Sequence, residues 1–308
     1  MTAQLDAPER DPGLPDPSAP LIASGNLRRR DAVSRAVTAR ATVAAFLAVA
    51  VLAILVFTVI SKAWSVLSLS FIFTNPSGLD SGGIANALLG TIEIVAIAAV
   101  IALPVGILTG LYLTEFAGAN SRSGRFLKLV LDLLQGLPTI IVGVVVYGLI
   151  VAVTHRQSGF AASVGLSIVM LPLIARSSQE VLLLVPGTLR EAADSLGVSR
   201  WRTVLGVILP TAAGGIATGA ILSIARAAGE TAPLLVLDSI YDPNATQLNP
   251  FGHGVPNVPI LILTTSDLPS PSALTRAWGA AFVLLAAILI ANVAARIMLA
   301  RSRRKMMG

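Results

Sequence analysis

The sequence has 308 residues, of which 55% are hydrophobic and only 12% are charged, with a mean hydropathy of +0.81. This composition excludes an ordinary soluble domain, which would need more polar residues to cover its surface. The sequence contains no cysteine, which excludes disulfides, thiolate catalysis and zinc–thiolate sites. The net charge of +6 is compatible with nucleic-acid binding or with membrane topology, which the positions of the basic residues distinguish.

The first 40 residues predict a disordered, basic N-terminal tail. Residues 1–27 are rich in Pro, Asp and Ala and lack the apolar run of a signal peptide. Arginines then lead into an apolar run at residues 41–60, which we expect to be an uncleaved first span. A second basic tail is expected at residues 301–308.

Further apolar runs follow, and most are longer than the ~20 residues that a membrane-spanning helix needs. They cover residues 84–113, 126–153, 160–185, 207–237 and 278–299. We therefore predict an all-α integral membrane protein with about six transmembrane helices within residues 41–300. Internal prolines predict kinks in three runs, and a glycine cluster in the fifth predicts close helix packing or a hinge. These residues are Pro104, Pro138, Pro172, Gly214, Gly215 and Gly219.

The distribution of basic residues predicts that both termini are cytoplasmic. Of the 22 Lys and Arg residues, those on the outer side are Lys62, Arg156 and Arg276. Arg176 and Arg226 lie within spans, and all the others lie in segments on the same side as the termini. This asymmetry follows the positive-inside rule, so the basic charge reflects topology and nucleic-acid binding is not expected.

A polar loop, Leu189–Pro210, separates the fourth and fifth apolar runs. Its first residues place an apolar helical face opposite a polar face of Arg190, Glu191, Asp194 and Ser195. Gly197 is expected to end that helix, and Ser199 can cap a second helix that continues into the membrane. The pattern also suits a helix-turn-helix DNA reader, but the short connections leave no room for a three-helix domain. A membrane-surface helix without a partner remains open.

Ionisable residues within the spans are costly and usually face a pathway or one another. They are Glu93, Asp132, Arg176, Glu180, Arg226 and Glu230. The four-residue spacing within the pairs Arg176–Glu180 and Arg226–Glu230 predicts ion pairs along one helix face. Arg226 would lie roughly 24 Å beyond Pro210 along a helix, at a depth that Glu93 could also reach. We expect Asp132, Arg176 and Glu180 near the cytoplasmic interface.

Two interpretations of Arg226 are open. It could form a static ion pair that locks helices together. It could instead bind an anion transiently, with Glu230 or Glu93 neutralising it when the path is empty. A guanidinium suits an oxyanion of the phosphate type because its planar fork offers paired donors and stays charged.

The polar loop resembles the EAA loop of ATP-binding-cassette (ABC) importer permeases. The resemblance is carried by Glu191, Ala192, Ala193 and Gly197, followed nine residues later by Val207–Pro210. The usual motif has Ile where Val207 stands. The resemblance implies a type I ABC importer permease fold, with a coupling-helix loop at residues 186–210 that enters a cleft of an ATPase subunit. It also implies that Glu191, Ala192, Ala193 and Gly197 are the docking residues. We call Leu189–Pro210 the EAA loop below.

Further segments resemble the permeases of phosphate-specific importers, the A-type subunit more closely than its C-type paralogue. They are residues 137–143 (LPTIIVG), 171–180 (LPLIARSSQE) and 221–237 (ILSIARAAGETAPLLVL). The resemblance implies a paralogous permease subunit, two ATPase subunits and an extracytoplasmic phosphate-binding protein, in the inner membrane of a bacterium. It further implies that Arg226 and Glu230 belong to the phosphate path, with Arg176 as a second candidate. The depth of Glu93 in its span adds it to the candidates for the path.

The lysine positions support the need for a separate ATPase. A P-loop requires a lysine after a glycine-rich turn, and Lys62, Lys128 and Lys305 follow Ser, Leu and Arg. We therefore expect ATP and Mg²⁺ to be used by the partner. We also expect no catalytic residue, metal site or cofactor in this chain, because no nucleophile triad, HExxH motif or Gly-rich cofactor loop stands out. Two other functions remain open: a permease for sulfate or molybdate, and a proton-coupled secondary transporter in which Glu93 and Glu230 carry protons.

Overall fold

The computed structural model describes residues 27–78, 81–118, 121–239 and 249–307, with side chains from residue 29 to residue 297. The chain divides into two compact units, residues 1–57 and 58–308. Residues 1–26 of the expected N-terminal tail lie outside the described part of the chain. From Leu27 onward the tail is helical instead of irregular, because residues 27–40 contain good helix formers and neither Gly nor Pro.

The regular structure of the described residues is helical. The helices are α1 (Leu27–Ala63), α2 (Leu69–Phe73), α3 (Ala85–Leu111), α4 (Arg122–Gly136), α5 (Thr139–Val146), α6 (Ala152–Thr154), α7 (Gly159–Leu183), α8 (Gly187–Ser195), α9 (Arg200–Thr203), α10 (Leu209–Ala228), α11 (Ala232–Leu237), α12 (Val258–Ser266) and α13 (Pro271–Met307). Wider π-helical turns follow α3 at Tyr112–Phe116, follow α5 at Tyr147–Val151 and precede α10 at Val204–Ile208.

Local side chains explain where several of these helices begin. The Ser121 and Ser158 hydroxyls accept hydrogen bonds from the third backbone N–H of α4 and α7, and the Asn257 side chain does the same for α12. Each satisfies a donor that a helix start leaves unpaired.

The expected membrane spans are present in the described residues. Five helical segments are long and apolar enough to cross a bilayer: Arg29–Ala63, Ala85–Phe116, Gly159–Leu183, Arg200–Ala228 and Pro271–Ile297. The pair α4 and α5 forms a sixth candidate, either a broken span or a re-entrant loop. An all-α protein with about six spans is therefore confirmed.

Two predicted runs are interrupted. Pro138 does not merely kink the third run, because α4 and α5 meet there at 104°. The fifth run also ends early, since α10 stops at Ala228 and α11 begins only at Ala232. A short break follows Gly229, and Pro233 then occupies the first turn of α11, where a proline removes no helical hydrogen bond.

Helix α7 forms the centre of the second unit. Leu166, Met170 and Ile174 are at most 2% exposed and belong to the largest buried cluster. Glycines let neighbouring helices approach α7 closely from two sides. A Cβ at Gly110 of α3 would lie 2.8 Å from the Ala175 carbonyl oxygen, and one at Gly219 of α10 would lie 2.3 Å from the Ser177 hydroxyl. Of the two roles expected for the glycine cluster in the fifth run, close helix packing and a hinge, the structure shows close packing.

The segment between α11 and α13 is more than a solvated connection. Residues 240–248 lie outside the described part of the chain, but residues 255–261 are buried and include the first turn of α12. Val258 donates its backbone N–H to the Thr91 hydroxyl of α3 at 2.9 Å. The start of α12 has the apolar sequence VPILIL, which explains why this segment enters the core.

Candidate functional site

The EAA loop forms the predicted helix, glycine turn and second helix. Helix α8 ends at Ser195, and Gly197 adopts a left-handed backbone with φ of 68°. The Val198 N–H donates to the Ala193 carbonyl at 3.1 Å, and the Gly197 N–H donates to the Asp194 carbonyl at 3.0 Å. This pair of bonds is a Schellman motif, which favours glycine at the left-handed position. Ser199 precedes α9 as expected, although its side chain makes no capping hydrogen bond.

The predicted docking residues do not all face the same way. Glu191, Ala192 and Gly197 are exposed, whereas Ala193 is only 8% exposed and packs against the rest of the protein. Leu196 is 81% exposed at the tip of the loop. The loop therefore presents apolar residues and charges of both signs to solvent, with Glu191 and Asp194 in α8 and Arg200 and Arg202 in α9. Ala193 lets α8 approach the ends of the spans.

Arg190 is not on a polar outer face as the helical pattern suggested. Its guanidinium forms a salt bridge with Glu115, with Nη2 and Oε1 2.7 Å apart, and Nε also donates to both carboxylate oxygens. The remaining hydrogen bonds go to the carbonyls of Val185 at 2.8 Å and Leu182 at 3.1 Å, at the end of α7. Hydrogen bonding to Glu115 raises the pKa of Arg190.

Glu115 is a residue that the sequence analysis missed. It lies in the π-helical turn after α3 and is 2% exposed. The sequence did offer one signal for it. Glu115 lies just beyond the second apolar run, on the side of the membrane where the EAA loop is also expected. The next residue, Phe116, packs against Trp201 of α9 with ring centroids 5.9 Å apart, and the Arg200 guanidinium lies 5.8 Å from the Phe116 ring centroid.

Arg226 and Glu230 form the predicted ion pair, with Nε and Oε1 3.3 Å apart. They do not share one helix, because α10 ends between them at Ala228. The Arg226 side chain is 62% exposed, whereas that of Glu230 is 17% exposed. Thr139, which the sequence analysis did not single out, donates its hydroxyl to Glu230 Oε2 at 3.5 Å.

This pair lies beside the two helix interruptions. Thr139 is the first residue of α5, directly after the bend at Pro138. A Cβ at Gly143 of α5 would lie 3.0 Å from the Pro233 Cα of α11, so the two short helices pack closely. The segments 137–143 and 221–237, which carried much of the resemblance, therefore meet in the structure.

Arg176 does not pair with Glu180, although the four-residue spacing predicted it. Its Nη2 pairs with Asp132 of α4, and its Nη1 donates to Gln179 at 3.4 Å. Glu180 is exposed. The spacing along α7 alone does not determine the partner of Arg176, because α4 places Asp132, 44 residues away in the sequence, beside it. Among the described residues no ion pair links Arg176 to Arg226 or Glu230.

Glu93 lies in α3 and is partly buried. Within the described residues no ion pair joins it to Arg226, and its buried Oε2 has no hydrogen-bond partner there. The structure therefore places Glu93 in a span, as expected, but among the described residues it forms no ion pair with the other predicted pathway residues.

A second buried acidic group lies outside the spans, after α11. Asp238 is fully buried and accepts a hydrogen bond from the Val255 N–H at 2.9 Å, with the Asn257 amide 3.5 Å from its second oxygen. Burial raises the pKa of Asp238 from its ordinary 3.8 to about 7, although both hydrogen bonds oppose the rise. Asn257 also caps α12, so the network ties the end of α11 to the start of α12.

Comparison with known proteins identifies the family. The family described as the binding-protein-dependent transport system inner membrane component matches residues 102–307. The chain belongs to this family. The matched residues include the EAA loop and both members of the Arg226–Glu230 pair, so this permease carries its candidate sites within the family's shared region. As a member with several candidate spans, it is an inner-membrane protein.

Individual relatives resemble this permease over most of its length. It is 36% identical to the phosphate transport system permease protein PstA 1 of Mycobacterium tuberculosis, in an alignment that covers 81% of this chain and 83% of that protein. It is 34% identical to PstA of Pasteurella multocida, with 83% and 90% covered. It is 35% identical to PstA of Xylella fastidiosa, with 90% and 96% covered.

Solved structures support the fold. An inward-facing structure of the MetNI methionine ABC transporter matches with a TM-score of 0.55 and 20% identity, covering 71% of this chain and 94% of that one. An amino acid ABC transporter matches with a TM-score of 0.51 and 15% identity, covering 71% and 92%. The predicted fold of an ABC importer permease is thereby confirmed.

Proposed function

We propose that this permease imports inorganic phosphate as one membrane subunit of an ATP-driven transporter. The observation that carries the proposal is the Arg226–Glu230 pair beside the broken helices α5 and α11. Relatives named as phosphate transport system permeases, at 34–36% identity, support the choice of substrate.

The pair has the chemistry that a transient phosphate site needs. Arg226 offers a charged fork of donors and is 62% exposed, so an anion can reach it. Glu230 neutralises the guanidinium while no anion is present, which keeps the charge tolerable in the membrane. An arriving phosphate competes with Glu230 for Arg226, and this competition keeps affinity moderate enough for release. Glu93 and Arg176 are secondary candidates for the path.

The transporter needs partners, because this chain lacks a lysine suited to a P-loop. We infer a paralogous permease subunit, two ATPase subunits that use ATP and Mg²⁺, and an extracytoplasmic phosphate-binding protein. The exposed Glu191, Ala192, Gly197 and Leu196 form the surface that would contact an ATPase. The distribution of basic residues favours an EAA loop and termini on the cytoplasmic side.

Labelled phosphate uptake tests the proposal. Cells lacking this permease should lose high-affinity uptake of labelled phosphate, while uptake of labelled sulfate should continue. Loss of sulfate or molybdate uptake instead would assign another oxyanion. Uptake that persists when the P-loop lysine of the co-purified ATPase is changed, but stops when the proton gradient is collapsed, would make the chain a secondary transporter.

A further inference from the structure

We propose that Glu115 and Arg190 are a positioning pair that fixes the EAA loop to α3 and α7, so that movement of the loop is transmitted to these two spans. The inference rests on the proposed function, in that an ATPase is the source of the movement. Neither side chain belongs to the EAA motif or to the Arg226–Glu230 pair, and neither needs to touch substrate.

The guanidinium of Arg190 joins three elements. It belongs to α8, it binds the Glu115 carboxylate beyond α3 through Nε and Nη2, and it binds carbonyls at the end of α7 through Nη1 and Nη2. Leu182 lies in the last turn of α7 and Val185 just beyond it, and a cation at this end interacts favourably with the helix dipole. A planar fork can satisfy both neighbours at once, which a single ammonium group cannot.

The second arm of the loop is attached to the same turn of α3. Phe116, next to Glu115, packs against Trp201 and lies under Arg200, both in α9. The π-helical turn that leads from α9 to α10 then buries Val204 and Ile208 against Leu111 and Leu182. The turn at Tyr112–Phe116 therefore holds the helices on both sides of Gly197.

The two spans that receive the loop are packed too closely to move independently. Cβ atoms at Gly106 and Gly110 of α3 would lie 2.7 Å and 2.8 Å from the nearest atoms of α7, at Ile174 and Ala175. Packed interiors transmit displacement because they have few voids to absorb it. Force on α8 therefore reaches α3 and α7 together through Arg190.

A purely structural role predicts a different result from a positioning role. Removing Arg190 alone leaves a carboxylate, only 2% exposed, without its cation, and such an orphan is strongly destabilising. The double variant Glu115→Gln with Arg190→Met removes the orphaned charge and the link together. It should restore assembly lost in Arg190→Met but should not restore transmission.

The first measurement uses the purified complete transporter in proteoliposomes. Phosphate taken up per ATP hydrolysed should fall about tenfold in the double variant, while ATPase activity and subunit retention persist. Arg190→Lys should give an intermediate ratio, because it keeps the charge but loses the fork. Arg125→Met, which removes an exposed cation from α4, is the matched control and should leave the ratio unchanged.

The second measurement does not depend on the substrate. The chain has no native cysteine, so spin labels can be placed at Leu108→Cys in α3, where the side chain is 56% exposed, and at Ser195→Cys in α8. The distance between the labels should stay constant on adding ATP to the unchanged transporter. The distance distribution should broaden or shift when ATP is added to the double variant, because α8 then moves without α3.

The outcomes decide the proposal separately from the substrate. An unchanged uptake ratio and an unchanged label distance in the double variant would overturn the positioning role. If the double variant does not assemble, Arg190→Lys takes its place with the same criteria, and failure of both to assemble shows a structural role only. If the unchanged transporter moves no phosphate, but its label distance stays constant on adding ATP while that of the double variant shifts, the proposed substrate is refuted and the positioning role stands.

Discussion

Arg226 pairs with Glu230 in the part of the chain that the structure describes, and its side chain is 62% exposed. A residue that only locks helices would be expected to be more enclosed. We predict that Arg226→Gln lowers phosphate uptake about a hundredfold, because the charged donor pair is lost. The measurement is labelled uptake, with co-purification of the ATPase to verify assembly.

Arg122→Gln serves as the control for Arg226→Gln, since it removes an exposed arginine from α4. Its uptake should remain normal. Normal transport by Arg226→Gln in an assembled complex would show that the ion pair is static.

Asp238 gives a pH-dependent contribution to stability. Because burial raises its folded pKa from 3.8 to about 7, the folded chain holds a proton that the unfolded chain has released between these pH values. This contribution therefore falls as pH rises from about 4 to about 7. We predict that Asp238→Asn raises the midpoint of thermal unfolding by about 5 °C at pH 8 relative to its effect at pH 5.

The Asn variant carries no titrating group and keeps an oxygen that can accept from the Val255 N–H, while it gives up the longer contact, 3.5 Å, from the Asn257 amide. Thermal unfolding of the purified permease in detergent, at both pH values, makes the comparison. An identical effect of the substitution at pH 5 and pH 8 would contradict a raised pKa.

Local spacing predicted the residue pairs unevenly. Arg226–Glu230 was predictable because four residues separate the partners and the chain stays compact across the break. Arg176 and Arg190 were not, since their partners Asp132 and Glu115 lie 44 and 75 residues away. Within one helix, an arginine can pair with a carboxylate four residues away. In a helix bundle it can also pair with a carboxylate of another helix, and the local sequence does not show which partner is preferred.

At the scale of elements, α7 depends on neighbours that lack side chains. We predict that Gly219→Leu destabilises the permease by about 1–3 kcal/mol, because the new side chain would collide with Ser177. The midpoint of thermal unfolding in detergent reports the change. Gly148→Leu is the matched control, as a Cβ there meets nothing within 4 Å. Equal midpoints for the two variants would show that α10 can move away at little cost.

The lengths of the elements were predicted better than their interruptions. Apolar runs identify spans because composition alone decides whether a segment can enter a bilayer. Composition does not show where a run breaks, so residues 207–237 appeared as one span. Pro233 signalled the start of α11, but a proline is also tolerated inside membrane helices, as Pro104 and Pro172 are in α3 and α7.

For the whole molecule, the basic residues predict which side each loop occupies. We predict that Ser195→Cys reacts with a membrane-impermeant maleimide only from the cytoplasmic side, and His253→Cys only from the outer side. Both positions are exposed, and the absence of native cysteines keeps the background low. Labelling of intact cells against inverted vesicles makes the measurement. Reaction of both positions from one side would contradict the topology.

The 75-residue separation of Glu115 and Arg190 affects how the protein is made. Ribosomes deliver the acidic partner first, and a carboxylate without its cation is unfavourable in the buried position that Glu115 finally occupies. We therefore expect the end of α3 to complete its packing only after α8 has been synthesised. A chain truncated at residue 188 should be degraded faster in pulse–chase than one truncated at residue 198, and Glu115→Gln should lessen the difference. On this view, folding of the helix bundle in the cell depends on the synthesis of Arg190, well after that of its partner.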